Sequence, residues 1–352
     1  MEKNFRTKKT SEHLVDQFAR TISYLRLSIT DRCNLRCMYC LPTTGEETAS
    51  HLKTLDVLQH QDLLTYEELL RFVRVAVSMG MSKVRLTGGE PLIRRGVLGF
   101  IRNLSSIEGL DQIRLTTNGV LLRESAAALY DAGIRHLNIS LDTLQPEKFA
   151  RITGRSFFHQ VWQGIETARD LGFFVKLNVV AMRGINDDEF RDFAQLALSE
   201  PFQVRFIEFM PVGERNGWDK SLFVAAADIQ SIIGEAGELT PKEGQRSEGP
   251  ARVFGLTDNT GRQGSVGFIS PISHHFCDSC NRLRLTSEGR LRSCLLSDQE
   301  TDIRGILRGG GADDSLREAI RITILHKQKG HAIQEDLQGV PQVHGRMSRI
   351  GG

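Results

Sequence analysis

Ile22-Ser23-Tyr24-Leu25-Arg26-Leu27-Ser28-Ile29 runs on towards Cys33-Asn34-Leu35-Arg36-Cys37-Met38-Tyr39-Cys40. The first eight residues alternate in character, as a strand does. The second eight place three cysteines in a C-x3-C-x2-C spacing on the loop that strand delivers. Three thiolates this close can hold three corners of a cubane iron–sulfur cluster. With no fourth cysteine nearby, one iron keeps an open site that can bind and activate a small molecule. The competing readings are a zinc knuckle and reduced core thiols. A structural zinc wants four protein ligands, and the nearest histidine, His51, lies in a polar stretch.

Downstream the strand-then-helix alternation repeats. A capping-box-like start at Thr65-Tyr66-Glu67-Glu68 opens a helix whose Leu69, Leu70, Val73 and Val77 recur at helical spacing. Lys83 to Thr87 reads as a strand, followed by Gly88-Gly89-Glu90-Pro91 and a helix near Gly96 to Ser105. Strands are also expected at Gln112 to Thr116, Arg135 to Leu141, Phe174 to Ala181 and Gln203 to Phe209, with helices between them. Such alternation implies parallel strands joined by right-handed crossovers. Their Val, Ile and Leu content suggests a sheet covered on both faces. Six units fit an incomplete (βα)6 TIM-like barrel in the α/β class, with a flavodoxin-like sheet as the alternative. Either fold binds ligands at the carboxyl ends of its strands.

After Pro211 the pattern changes. A helix is expected over Ala225 to Gly234, then strands at Val253 to Leu256, Ser265 to Ile269, Leu283 to Thr286 and Arg290 to Ser293. Asp298 to Arg308 and Leu316 to Lys329 read as helical. The organisation expected is a flexible arm over residues 1–20, a partial barrel over 21–211, and a small C-terminal β-rich extension over 212–352. Gly45 to Leu64 and Glu243 to Pro250 read as loops.

Across the 352 residues, 40% are hydrophobic and 25% charged, ordinary for a soluble globular protein. No apolar run approaches a membrane span. The polar N-terminus lacks a secretory signal, and its Glu2, Glu12 and Asp16 disfavour a targeting peptide. A net charge of +2 is too small to imply a nucleic-acid partner. Six cysteines in two groups of three, without a secretion signal, suggest free thiols in a reducing, cytoplasmic compartment.

The second group is Cys277, Cys280 and Cys294, spaced C-x2-C-x13-C, with His274 and His275 close by. Alone it suits a structural zinc or an iron–sulfur cluster equally. Arg282 and Arg284 alternate along a strand between the ligands, and two guanidinium groups there can grip an oxyanion.

The first cysteine group, with Tyr39 before its last member, resembles the signature of the radical S-adenosylmethionine (SAM) superfamily. Both cysteine groups, Cys280-Asn281-Arg282-Leu283-Arg284 and a terminal Gly351-Gly352 together resemble the GTP 3′,8-cyclase family, from Tyr24 to Gly352. The resemblance implies two 4Fe–4S clusters, each on three cysteines: Cys33, Cys37 and Cys40, then Cys277, Cys280 and Cys294. It implies SAM beside Tyr39, Gly89, Ser140 and Met210, with Gly89 bare so that the ligand can approach. It implies GTP held by Arg26, Arg85, Thr116, Lys176, Arg282, Leu283 and Arg284, with guanine at the second cluster. Arg26, Arg282, Arg284 and the Gly351-Gly352 tail would act in catalysis. The implied reaction removes the ribose 3′ hydrogen, joins C3′ to C8, and yields (8S)-3′,8-cyclo-7,8-dihydroguanosine 5′-triphosphate for molybdenum cofactor synthesis. The implied partners are cyclic pyranopterin monophosphate synthase downstream and a reductase as electron donor, with a homodimer as an allowed oligomer. A peptide-modifying radical SAM enzyme and a zinc-ribbon binding module are the alternatives. The first usually carries more C-terminal cysteines, and the second would hold zinc and no iron.

Overall fold

The computed structural model describes residues 14–40, 57–213, 217–242, 249–331 and 343–351. Most of the two expected loops, residues 1–13 of the expected arm, and Gly352 lie outside them. Six strands, β1 (Tyr24–Ser28), β2 (Lys83–Thr87), β3 (Gln112–Thr117), β4 (His136–Ser140), β5 (Phe174–Ala181) and β6 (Gln203–Glu208), stand side by side in chain order, all parallel. A flavodoxin-like sheet would reverse its winding at a switch point, so the sequential order selects the partial barrel.

The helices between the strands are α1 (Tyr66–Ser78), α2 (Val97–Ser105), α3 (Leu122–Asp131), α4 (Pro146–Thr153), α5 (Phe158–Asp170) and α6 (Phe190–Ser199). The capping box opening α1 forms as its sequence suggests: Glu68 N–H donates to Thr65 Oγ1 at 3.2 Å and Thr65 N–H to Glu68 Oε2 at 2.7 Å. Satisfying two otherwise orphaned donors contributes about 1 kcal/mol.

The C-terminal strands do not form a separate antiparallel unit. They extend the barrel sheet at both edges. After α7 (Ala226–Gly234), the meander β7 (Glu238–Pro241), β8 (Arg252–Thr257) and β9 (Gln263–Ile269) joins through β9, parallel to β6. Then β10 (Arg282–Leu285) runs parallel to β1, with β11 (Arg290–Arg292) and β12 (Glu300–Asp302) beyond it. One twelve-stranded sheet results. The helix expected from Asp298 begins late. Asp298 pairs with buried Arg292 at 2.9 Å, residues 300–302 pair with β11, and Asp302 caps α8 (Ile303–Arg308). Then α9 (Asp313–Leu325) follows, and α10 (Met347–Ile350) lies in the stretch read as an open tail.

The sheet is covered on both faces, as expected, but only one face is apolar: the lumen-side Lys83, Arg85, Arg114, Lys176 and Arg205 are buried too. Leu25, Leu27, Val84, Leu86, Leu115, Leu137, Ile139, Val175, Leu177, Val204 and Phe206 belong to the buried apolar core shared with the helices. The alternate residues of each strand face the lumen and are largely polar. The arm's last residues are docked: Leu14 and Arg20 are buried, and Arg20 Nε meets Asp16 Oδ2 at 2.6 Å.

Candidate active site

The strand register assembles the lumen. Arg26 of β1 lies level with Arg85 of β2 on one side and Arg284 of β10 on the other. Arg85 is level with Arg114, and Tyr24 with Lys83 and Arg282. Lys176 and Arg205 extend the same face through β5 and β6. No Asp or Glu occupies the lumen positions of β1 to β6, β9 or β10. Burial, and then neighbouring Arg284, push Arg26 well below its ordinary value. Burial and Arg282 push Arg284 down to about 9. Burial favours the neutral Tyr24 phenol, but Arg85 and Arg26 bring it down to about 8. Arginine keeps its proton in proteins, so for Arg26 and Arg284 these directions record burial first and crowding of positive charge second. A polyanion in the lumen relieves it.

Arg26, Arg85, Thr116, Met210, Arg282, Arg284, Cys277, Cys280 and Cys294 line one cavity. Arg85 donates to Tyr24 Oη and, at 3.3 Å, to Thr116 Oγ1. Lys176 shares the lumen face but turns its ammonium over the Phe174 ring, 4.8 Å from its centroid, and does not line the cavity. Leu283 has 0% exposure and packs in the apolar core. Its side chain therefore cannot meet a lumen ligand, unlike those of Arg282 and Arg284.

The first cysteine group sits on the loop after β1, bound to the end of α4. Arg36 N–H donates to Thr153 O at 2.8 Å and Met38 N–H to Ile152 O at 2.9 Å. Its thiols are pushed up by burial, Cys40 to about 12 and Cys37 well above the usual range. Neutral donors reach its sulfurs: Leu35 N–H to Cys33 at 3.4 Å, Asn118 Nδ2 to Cys33 at 3.6 Å, and the Ser348 backbone to Cys40. Tyr39 donates to Asp142 Oδ2 at 2.6 Å, and burial raises Asp142 to about 6 against that bond. Gly88-Gly89 passes directly beneath the loop. A Cβ on Gly89 would lie 2.0 Å from Arg32 O, and one on Gly88 2.3 Å from Thr30 O. The bare backbone of Gly89 is thus required by its own chain before any ligand is considered. Ser140 ends β4 on the lumen face.

The second group behaves differently. Burial would raise Cys280, but Arg282 and Lys327 bring it down to about 6, whereas burial raises Cys277. Leu296 N–H donates to Cys294 Sγ at 3.4 Å. All six cysteines are free and partly buried. Each group offers three sulfurs with N–H donors around them, and thiolate ligation with hydrogen bonds to sulfur is what an iron–sulfur cluster needs. The residues fit the group.

The chain's end joins the two sites. Met347 of α10 lines the cavity of the second group, while Ser348 reaches Cys40 of the first. Gly351 O accepts from Arg284 Nη1. Gly351 has φ +84°, and a Cβ there would lie 2.2 Å from Thr87 Oγ1.

The sequence reading missed several lining residues, among them Asn138, Asn178, Arg205, Phe276 and His331. Arg205 carried the same signal as Arg26, a charge inside a strand. His331 carried none; its ring bonds Pro271 O at 2.7 Å and stacks on His275 with centroids 4.1 Å apart.

A sequential parallel half-barrel with cysteines on its first loop is the architecture of the radical SAM superfamily, whose family model matches residues 27–197. A second model, Molybdenum Cofactor Synthesis C, matches residues 202–333. The solved structure of Streptococcus suis SuiB bound to S-adenosylmethionine shares the fold, with a TM-score of 0.58 at 14% identity over 93% of this chain and 77% of that one. The GTP 3′,8-cyclase of Thermodesulfovibrio yellowstonii is 47% identical over 90% of this chain and 94% of that protein. That of Moorella thermoacetica is 45% identical over 96% of this chain and 99% of that protein. The chain belongs to the GTP 3′,8-cyclase family.

Proposed function

We propose that the chain converts GTP to (8S)-3′,8-cyclo-7,8-dihydroguanosine 5′-triphosphate, opening molybdenum cofactor biosynthesis as a radical SAM enzyme. The observation that carries this reading is the run of lumen cations that shares one cavity with Cys277, Cys280 and Cys294. A triphosphate neutralises such a face, and charge-assisted bonds to arginine are the strong ones.

In this reading Cys33, Cys37 and Cys40 hold one 4Fe–4S cluster and Cys277, Cys280 and Cys294 hold another. When bound, the first cluster with SAM supplies the 5′-deoxyadenosyl radical that takes the ribose 3′ hydrogen. Tyr39, Gly89, Ser140 and Met210 hold SAM. Tyr39 is fixed for this by its bond to Asp142. Arg26, Arg85, Thr116, Arg282 and Arg284 orient GTP, Lys176 would join them by leaving the Phe174 ring, and the second cluster, held by Cys277, Cys280 and Cys294, would receive guanine. The chain's contribution is positioning and exclusion of water, because a primary radical is indiscriminate. Arg26, Arg282 and Arg284 also stabilise charge as C3′ closes on C8. Gly351 closes the site, supported by the bond between Arg284 and Gly351 O; the catalytic role expected of Gly352 falls outside the described residues. The product passes to cyclic pyranopterin monophosphate synthase, and a reductase supplies electrons in the cytoplasm. Among the described residues no helix is long and apolar enough to cross a membrane.

Anaerobic reconstitution with iron and sulfide, then incubation with SAM and reductant, tests this. The expected result is 5′-deoxyadenosine that forms only when GTP is added. Equal formation with a peptide substrate, or zinc in place of iron, contradicts it.

A further inference from the structure

Lys327 lies just beyond α9 and is 2% exposed. Its ammonium donates to Cys280 Sγ at 3.4 Å, Arg282 O at 3.1 Å and Ser293 O at 2.6 Å. These three acceptors use its three N–H bonds, and none is a carboxylate. A buried ammonium is costly unless its charge is compensated. Two carbonyls satisfy donors without neutralising them. Of the three acceptors only the sulfur can carry negative charge, as a thiolate.

The segment holding Lys327 is clamped to the cysteines from a second direction. Arg20 donates to Cys277 O at 2.8 Å, Gln328 O at 2.7 Å and Lys329 O at 3.1 Å, and is itself anchored by Asp16. Lys327 does not line the cavity, so it is not engaged by the substrate. Arg282 also bonds Cys280, but Arg282 faces the cavity.

We propose that Lys327 is a positioning residue and fixed counter-charge for the second iron–sulfur centre, holding Cys280 as thiolate ligand and making that centre easier to reduce. This rests on the reading that Cys277, Cys280 and Cys294 carry a cluster. Hydrogen bonds and positive charge at a ligating sulfur stabilise the reduced state, which is one more unit negative. Reduction potentials of iron–sulfur centres respond to such groups.

The test is a redox titration of full-length reconstituted protein followed by electron paramagnetic resonance, with wild type, Lys327→Met and Lys327→Arg. A Cys33→Ser/Cys37→Ser/Cys40→Ser background assigns the second centre's signal. In Lys327→Met the ratio of reduced to oxidised second centre at a fixed potential falls about tenfold, about 59 mV for one electron. The first centre is unmoved, and Lys327→Arg stays near wild type. If Lys327→Met loses the second centre while Lys327→Arg keeps it, the charge role is supported. An unmoved midpoint in Lys327→Met, or loss of the centre from both variants, overturns the proposal. Wild type that binds about four irons per chain instead of about eight overturns the two-cluster reading itself.

Discussion

Gly351→Ala isolates the part played by the chain's end. The new Cβ would lie 2.2 Å from Thr87 Oγ1 and 3.1 Å from Thr87 Cβ, against an ordinary contact of about 3.5 Å. The backbone at φ +84° adds a left-handed penalty of about 1–2 kcal/mol for a residue with a side chain. Overpacking costs about 1–3 kcal/mol more. The total, about 2–5 kcal/mol, shifts the docked end towards the undocked by about 30-fold to several thousand-fold. The strain is relieved locally, because α10 is one short turn and can release without unfolding the barrel. Three readouts follow. Hydrogen exchange at the amides of Ile350 and Gly351, now bonded to Arg346 O and Met347 O, accelerates. Turnover falls at least about tenfold. GTP affinity and iron content stay near wild type, since Arg26, Arg85 and the six cysteines are kept and only the Ser348 donor to Cys40 and the Met347 contact are loosened. Adding Thr87→Ala removes the Oγ1 overlap and restores part of the protection. Full turnover with unchanged exchange in Gly351→Ala refutes the reasoning.

Arg85→Met removes the bonds to Tyr24 and Thr116 and one lumen charge. It weakens GTP binding about 10- to 100-fold with cluster content unchanged, measured by equilibrium dialysis, at about 1.5–3 kcal/mol for a charged hydrogen bond. In metal-free reduced protein near neutral pH, iodoacetamide modifies Cys280 first. Its thiol at about 6 is ionised there, while Cys40 at about 12 is not; mass spectrometry that finds Cys40 labelled first contradicts this. Gly89→Ala cannot place its Cβ beside Arg32 O, so iron bound at the first group falls to background and stays intact at the second. Thr65→Ala breaks the capping box and costs about 1 kcal/mol, read as a lower urea midpoint at constant slope.

Local patterns carried much of this fold. The cysteine spacings, the charges inside strands at Arg26 and Arg85, and the capping box at Thr65 are all short-range signals. Alternation alone places Leu283 opposite Arg282 and Arg284, so the core position of its side chain was legible too. The parallel joins of β9 to β6 and β10 to β1 were not, because hairpin-like spacing among short strands suggests antiparallel neighbours. Long-range pairing decided instead. Lys327 looks like one more polar residue at a helix end, and only tertiary packing brings it to Cys280. Gly89 was read as bare for a ligand's approach, and a second reason lay beyond the sequence: the chain itself, at Arg32, occupies the space a side chain would need.

The account stands on a nucleotide held between two sulfur-ligated iron centres, with its ribose turned to the first. Turnover of GTP carrying deuterium at C3′ measures that orientation directly. The expected product mixture contains 5′-deoxyadenosine one mass unit heavier and a cyclised nucleotide without the label. Unlabelled 5′-deoxyadenosine beside a product that retains its deuterium contradicts the account.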